Sequence, residues 1–329
     1  MKEEIAKTLK SADTEDWLDY HLVRPMSYYF ARFFAAIRWT PNAVTVTSMV
    51  VGAASCLFFV HGSYHYEGWH GLLWNLVGIF LLVLADLLDC SDGQLARMTG
   101  QKSRLGRILD GLAGFTWYIP IYAALVVRFY LHHDMEFGWL GLPETSAAVL
   151  SATAVVFLLA SLSGLFGISP QQRVADYYIQ VHLFFLKGEK GSELDNSQKQ
   201  QELYEAMDRS VPWYERLFQR SYVEYTRKQE KRTPKFQHLK RTLQAKYGPS
   251  ASDIPQSVRD EFRRRSLPVL KYNGLLTFNF RTFYFVIFCL LDMPVMIFLF
   301  ELIAMNLLEA YVTRRHERFC EEIERSLGE

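Results

Sequence analysis

Six apolar runs constrain this chain more than any other feature. They cover residues 43–60, 71–88, 109–131, 147–168, 275–291 and 294–312. Each comes close to the ~20 apolar residues that a helix needs to cross a bilayer. The fifth is short and carries Arg281. Half of the 329 residues are hydrophobic, yet mean hydropathy is −0.01, so polar residues must be gathered elsewhere. They are gathered in the ends, in short connections, and in a polar stretch over residues 171–270. The expectation is an all-α integral membrane protein. It has six transmembrane helices, an N-terminal interfacial amphipathic helix and a helical cytoplasmic insert.

The boundaries follow from the same pattern. Residues 1–39 form the N-terminus and interfacial helix, and residues 40–170 the first four spans. Residues 171–270 form the insert, 271–313 the last two spans, and 314–329 the tail. The interfacial helix is read from "SYYFARFFAAIRW" at 27–39, where apolar residues recur at helical spacing with Arg32 and Arg38 among them. The same stretch would also serve as the end of the first span. "TPN" at 40–42 supplies a cap and a first-turn proline for that span. No signal peptide is expected, because the first 25 residues are charged with no apolar stretch behind a basic start. Four cysteines sit in or beside apolar runs without a pairing pattern, so no disulfides are expected.

Charge orients the chain. Arg97, Lys102, Arg104 and Arg107 follow the second run, and Arg314, Arg315 and Arg318 follow the last. Residues 61–70 and 132–145 hold neither Lys nor Arg. Lys and Arg mark the cytoplasmic side, which places both termini and the connection after the second span there. The insert carries 19 Lys and Arg against 13 Asp and Glu. Its basic excess, including Arg263–Arg265, reads either as a solvated helical insert or as contact with anionic head groups or phosphate substrates. Nothing in it resembles a nucleic-acid module.

The densest chemistry lies at "DLLDCSDGQLARMTGQKSRLGRILDGLAG", residues 86–114. Ionisable groups in spanning helices are costly and usually functional. Asp86, Asp89 and Asp92 recur at helical spacing at the end of the second span, and Asp110 begins the third. Such carboxylates repel one another unless a divalent cation joins them, and Mg²⁺ or Mn²⁺ prefers oxygen donors and bridges carboxylates to phosphates. Gly93 and Gly106 would admit a backbone or phosphate closely, and Arg97 could hold a phosphate bidentately. Pairing of the aspartates with Arg97, Lys102 and Arg104 is the purely structural alternative.

The spacing Asp89-x2-Asp92-Gly93-x2-Ala96-Arg97-x8-Gly106-x3-Asp110-x3-Gly114 resembles the CDP-alcohol phosphatidyltransferase signature, D-x2-D-G-x2-A-R-x7–9-G-x3-D-x3-D, at every position but the last. The resemblance covers about residues 40–113 well and the six-helix layout loosely, and it leaves out the insert. It implies a membrane enzyme, often a homodimer. Such an enzyme uses divalent metal to move a phosphate-linked group from a CDP-activated donor to an alcohol, releasing CMP. It makes Asp89, Asp92 and Asp110 metal ligands, and gives Gly93, Ala96, Arg97 and Gly106 the nucleotide and diphosphate site. The family's fourth aspartate, second metal ligand and base for the acceptor, is Gly114 here.

Three readings of that departure stay open: another residue is the base, the acceptor or donor differs and fills the extra room, or chemistry has been lost. Asp86 is the candidate replacement, as it lies ~4.5 Å deeper than Asp89, and Gly114 ~6 Å deeper than Asp110. The functions weighed are phospholipid or phosphosphingolipid synthesis, lipid-to-lipid head-group transfer (for example to ceramide), a non-catalytic lipid- or nucleotide-binding membrane protein, and a transporter. A transporter would spread its polar residues through the span midplanes. Glu301, Asn306 and Glu309 share roughly one side of the last span, and Arg281 is a possible partner for Glu301, as ion pair or pocket lining. His21, His61, His65, His70, His132 and His133 show no metal-ligand partner spacing, and the two outer-loop groups would lie on the wrong side for the chemistry.

Overall fold

The structure, a computed structural model, describes all residues except 1–3, 6, 7, 10, 102, 209 and 329. It is helical, with no strand among the described residues. The helices are α1 (Arg24–Ala36), α2 (Pro41–Phe59), α3 (Tyr64–Glu67), α4 (Trp69–Thr99), α5 (Arg104–Leu131), α6 (Asp134–Leu140), α7 (Ser146–Ser163) and α8 (Ser169–Lys187). They continue as α9 (Ser197–Glu205), α10 (Trp213–Arg232), α11 (Pro234–Tyr247), α12 (Gln256–Asn273), α13 (Phe278–Leu290), α14 (Met296–Phe300) and α15 (Asn306–Gly328). The chain divides into two compact units, residues 1–169 with 278–305, and residues 170–277 with 306–329.

Local chemistry sets the helix limits. The Thr40 hydroxyl accepts from the Ala43 N–H, with Pro41 in the first turn of α2. Arg38, at φ 58°, turns the chain sharply between α1 and α2, so residues 24–36 form a helix of their own. Gly100 closes α4 in the left-handed conformation, and Ser103 caps α5 by accepting from the Gly106 N–H at 2.9 Å.

Stretches within Pro41–Phe59, Trp69–Thr99, Leu109–Leu131, Ser146–Lys187 and Met296–Gly328 are long and apolar enough to cross a membrane. The fifth sequence run departs from this. Its helix α13 has 13 residues, and it counts as a span only together with the helix before it. The spans Ser146–Lys187 and Met296–Gly328 run on past their apolar runs, because polar residues continue the helical pattern beyond them.

The first unit is built like a membrane bundle. Leu57, Phe80, Ile119, Leu150 and Phe157 are exposed, as expected where lipid covers the surface, while small residues lie inside. Helix α2 buries Thr45, Ser48, Gly52 and Ser55 along one face. Gly52 accepts the Trp117 indole: a Cβ there would lie 2.6 Å from its Nε1. Phe59 is likewise seated against Gly78.

Two buried acids of this unit are saturated. Glu301 accepts from Arg281, Tyr122, Ser163 and, at 3.0 Å, Tyr284. Asp292 accepts from Arg128, from the Ser63 hydroxyl at 3.2 Å and from the His65 N–H at 2.7 Å. All four cysteines are free thiols.

The second unit has an ordinary aromatic core. Phe185 stacks on Phe262 at 3.8 Å and Tyr178 on His316 at 3.9 Å. Of the three consecutive arginines, Arg264 and Arg265 pair with Glu261, and Arg265 also with Glu322. Glu309 pairs with Arg232, and Gln171 donates to Asn306 at 2.8 Å.

Candidate active site

Asp89 and Asp92 share a face of α4, and Asp110 lies in the second turn of α5. Their carboxylate oxygens lie within 4.8 Å of one another. The three grade from buried to open: Asp92 is buried, Asp89 half-buried and Asp110 exposed. The Thr45 hydroxyl donates to Asp92 Oδ2 and fixes one carboxylate from α2. Asp89 Oδ1 is buried and has no hydrogen-bond partner among the described residues.

A buried polar atom in that state calls for an explanation. Three carboxylates with one oxygen left open fit a hard divalent ion such as Mg²⁺ or Mn²⁺, which takes oxygen donors and retains room for water or phosphate.

Asp86 lies one turn before Asp89 and is buried, and its Oδ1 also lacks a partner among the described residues. It stands outside the three-carboxylate group. Arg97 lies across Gly93. A Cβ on that glycine would be in ordinary contact with the guanidinium, 3.4 Å from Nη1. Its Nε donates to the Thr8 carbonyl of the N-terminal segment. Ala96 is half-buried. Gly106 serves helix packing in this arrangement, since a Cβ there would lie 2.7 Å from Asn42 Oδ1. Ser103 donates to that same Asn42 oxygen at 3.2 Å.

The extra room expected at Gly114 is filled by the protein itself, which corrects the idea that a substrate fills it. The Phe278 ring of α13 sits over the glycine, and a Cβ there would be 2.5 Å from its Cε2. The ring is stacked with Tyr118 at 5.9 Å and edge-on to Phe115 at 5.8 Å. The Arg281 guanidinium carbon is 6.0 Å from its centroid.

Several neighbours escaped the sequence reading. Arg24 Nε binds Glu15 Oε2 at 2.8 Å, and Gln94 donates to the Arg24 carbonyl at 3.2 Å. Asn279 donates to Asp19 Oδ1 at 2.5 Å. Burial pushes the Asp19 carboxyl up to about 6, with the Asp16 charge adding to the rise. No motif announces these contacts. Thr45 alone left a trace, as one of the small and polar residues at helical spacing along α2.

Residues 38–174 match the CDP-alcohol phosphatidyltransferase family model. That family is a transferase family acting on CDP-alcohols, and the matched segment holds every residue of the carboxylate group. No curated protein and no solved structure gave a significant match.

Proposed function

We propose that this chain, with a CDP-alcohol phosphatidyltransferase domain at residues 38–174, moves a phosphate-linked group from a CDP-activated donor to an alcohol acceptor in phospholipid or phosphosphingolipid synthesis. The observation that carries the reading is the grouping of Asp89, Asp92 and Asp110 within 4.8 Å, with Asp89 Oδ1 left open. Asp89, Asp92 and Asp110 would hold Mg²⁺ or Mn²⁺. The bound ion would neutralise the diphosphate and stabilise the CMP leaving group. The lysine- and arginine-bearing end of the bundle would face the cytoplasm.

The chain's own groups do the rest. Thr45 orients Asp92. Arg97, lying over Gly93, is placed to grip a diphosphate oxygen once it leaves the Thr8 carbonyl. The acceptor oxygen bonds to the phosphorus of the transferred group, the bond to CMP breaks, and the acceptor's proton needs a base. Phe278 occupies the position of the family's fourth acid. Asp86, buried and with an open oxygen at similar depth on the neighbouring helix, takes that proton.

The Phe278 ring over Gly114 also favours a second reading, a membrane protein that binds nucleotide or lipid without turnover. Transfer between lipids, for instance to ceramide, is a variant of the first. One assay separates them: CMP release by purified protein offered CDP-activated donors, with and without Mg²⁺ or Mn²⁺. The proposal expects metal-dependent release, lost in Asp89→Asn, Asp92→Asn and Asp110→Asn. It expects Asp86→Asn to lose turnover while keeping nucleotide binding. Nucleotide binding without CMP release from any donor would establish the second reading. Normal turnover by Asp86→Asn would remove Asp86 from the mechanism.

A further inference from the structure

At the end of the first unit away from the aspartates, three more potential metal ligands converge. His61 follows α2, Glu67 ends α3, and His132 follows α5. His132 lies ~33 Å along α5 from Asp110, at ~1.5 Å per residue, so this cluster is separate from the carboxylate group. His132 Nε2 is 3.2 Å from Glu67 Oε1, and His61 Nδ1 is 3.6 Å from the same oxygen. All three ligand atoms lie within 4.8 Å of one another. The edge of a tetrahedron with metal–ligand bonds of ~2.0–2.1 Å is about 3.3 Å. Two edges of the cluster are therefore near the separations a tetrahedral ion imposes. From these contacts we infer that His61, Glu67 and His132 form a second metal site, selective for a borderline transition-metal ion such as Zn²⁺.

The donor set decides the class of ion. Two imidazoles and one carboxylate suit Zn²⁺ and its neighbours, whereas Mg²⁺ and Ca²⁺ take oxygen. Three protein ligands leave a fourth position for water or another ligand. It opens on the His61 side, because the His61 side chain is 53% exposed and that of His132 only 8%.

The scaffold behind the ligands is rigid and specific. His132 sits one turn beyond Arg128, and its N–H donates to the Arg128 carbonyl at 2.8 Å. Arg128 pairs with Asp292, which also accepts from the Ser63 hydroxyl and the His65 N–H. The segment leading to Glu67 is thereby tied to the end of α5. Gly62, next to His61, packs against the same arginine: a Cβ there would lie 3.0 Å from Arg128 Nη1. Asp292 itself has φ 54°, uncommon for a residue other than glycine. One buried ion pair thus holds all three ligand-bearing segments. The ion pair places the backbone that carries the ligands.

The test uses the full chain purified in detergent, stripped with chelator and titrated with Co²⁺, then Zn²⁺. The expected result is one tetrahedral Co²⁺ per chain, counted from its intense visible bands and apart from any weakly absorbing octahedral Co²⁺ on the carboxylate group, displaced by Zn²⁺ and unaffected by excess Mg²⁺. Glu67→Gln and His132→Ala should weaken binding at least about tenfold, the loss seen even when a residue behind a ligand is removed. His61→Ala, at the most exposed ligand, provides the variant safest for folding and should do the same. Asp89→Asn should leave the spectrum unchanged. Acidification should release the ion, since imidazole ligates only when neutral. The inference is overturned if the wild type takes up no tetrahedral cobalt, or if His61→Ala and Glu67→Gln bind as the wild type does.

Discussion

Two kinds of buried carboxylate share the first unit. Glu301 is fully buried and has four donors around it, Arg281, Tyr122, Tyr284 and Ser163. Asp292 is similarly enclosed by Arg128, Ser63 and the His65 N–H. Asp86 and Asp89 each keep a buried oxygen without a partner among the described residues. Burial of an uncompensated charge costs several kcal/mol. The bundle therefore compensates its acids where they hold helices together, and leaves others open at one end. We read saturation as the mark of structural acids and an unpartnered buried oxygen as the mark of acids placed to take a ligand.

The largest expected effect lies on the saturated side. Arg281→Met strands the Glu301 charge and should lower stability by ~3–5 kcal/mol. Chemical unfolding in detergent measures this, and adding Glu301→Gln to that variant should recover much of the loss. A small effect of Arg281→Met alone would dissolve the distinction.

Next comes pH. Asp19, outside the spans, has its carboxyl raised to about 6 by burial against an ordinary 3.8. The folded state then holds the proton more tightly than the unfolded one. The stabilisation is present below about 3.8 and is lost as pH rises through about 6. That difference amounts to roughly 3 kcal/mol at 1.36 kcal/mol per unit. Unfolding measured at several pH values should show this loss, and Asp19→Asn should flatten it.

Gly114→Asp should cost ~1–3 kcal/mol by overpacking against Phe278. Adding Phe278→Ala should relieve it, as melting of the single and double variants would show. The smallest effect belongs to the open side. Without metal, Asp89→Asn should leave the melting temperature unchanged or raise it, since it removes a like charge beside Asp92 and Asp110. A fall as large as that of Arg281→Met would make Asp89 a structural acid.

Much of this was legible in the sequence, for physical reasons. Spans are written in composition, because lipid demands apolar surface. The Thr40–Pro41 start of α2 is a local signal. The carboxylates of α4 and α5 sit at spacings that helical geometry turns into one face. The fifth span was legible only as a short run carrying Arg281; α13 lies between the turn of Gly274–Leu276 and Asp292 at φ 54°, breaks that no local motif announces. Phe278 over Gly114, Asn279 on Asp19, and the meeting of His61, Glu67 and His132 join residues far apart in the chain. Only tertiary packing brings them together. Gly106 carries a demand that the motif does not announce. Its place in the motif suggests substrate, while its neighbours, Asn42 and Ser103, show that helix packing also requires it.

If the reading is right, Asp89, Asp92 and Asp110 together bind a hard divalent ion. Electron paramagnetic resonance of Mn²⁺ titrated into the purified, chelator-stripped protein tests it most directly. The expected result is saturable binding that Mg²⁺ competes away, lost in Asp89→Asn and Asp92→Asn and kept in His61→Ala. Absence of saturable Mn²⁺ binding, or binding unchanged in both aspartate variants, would contradict it.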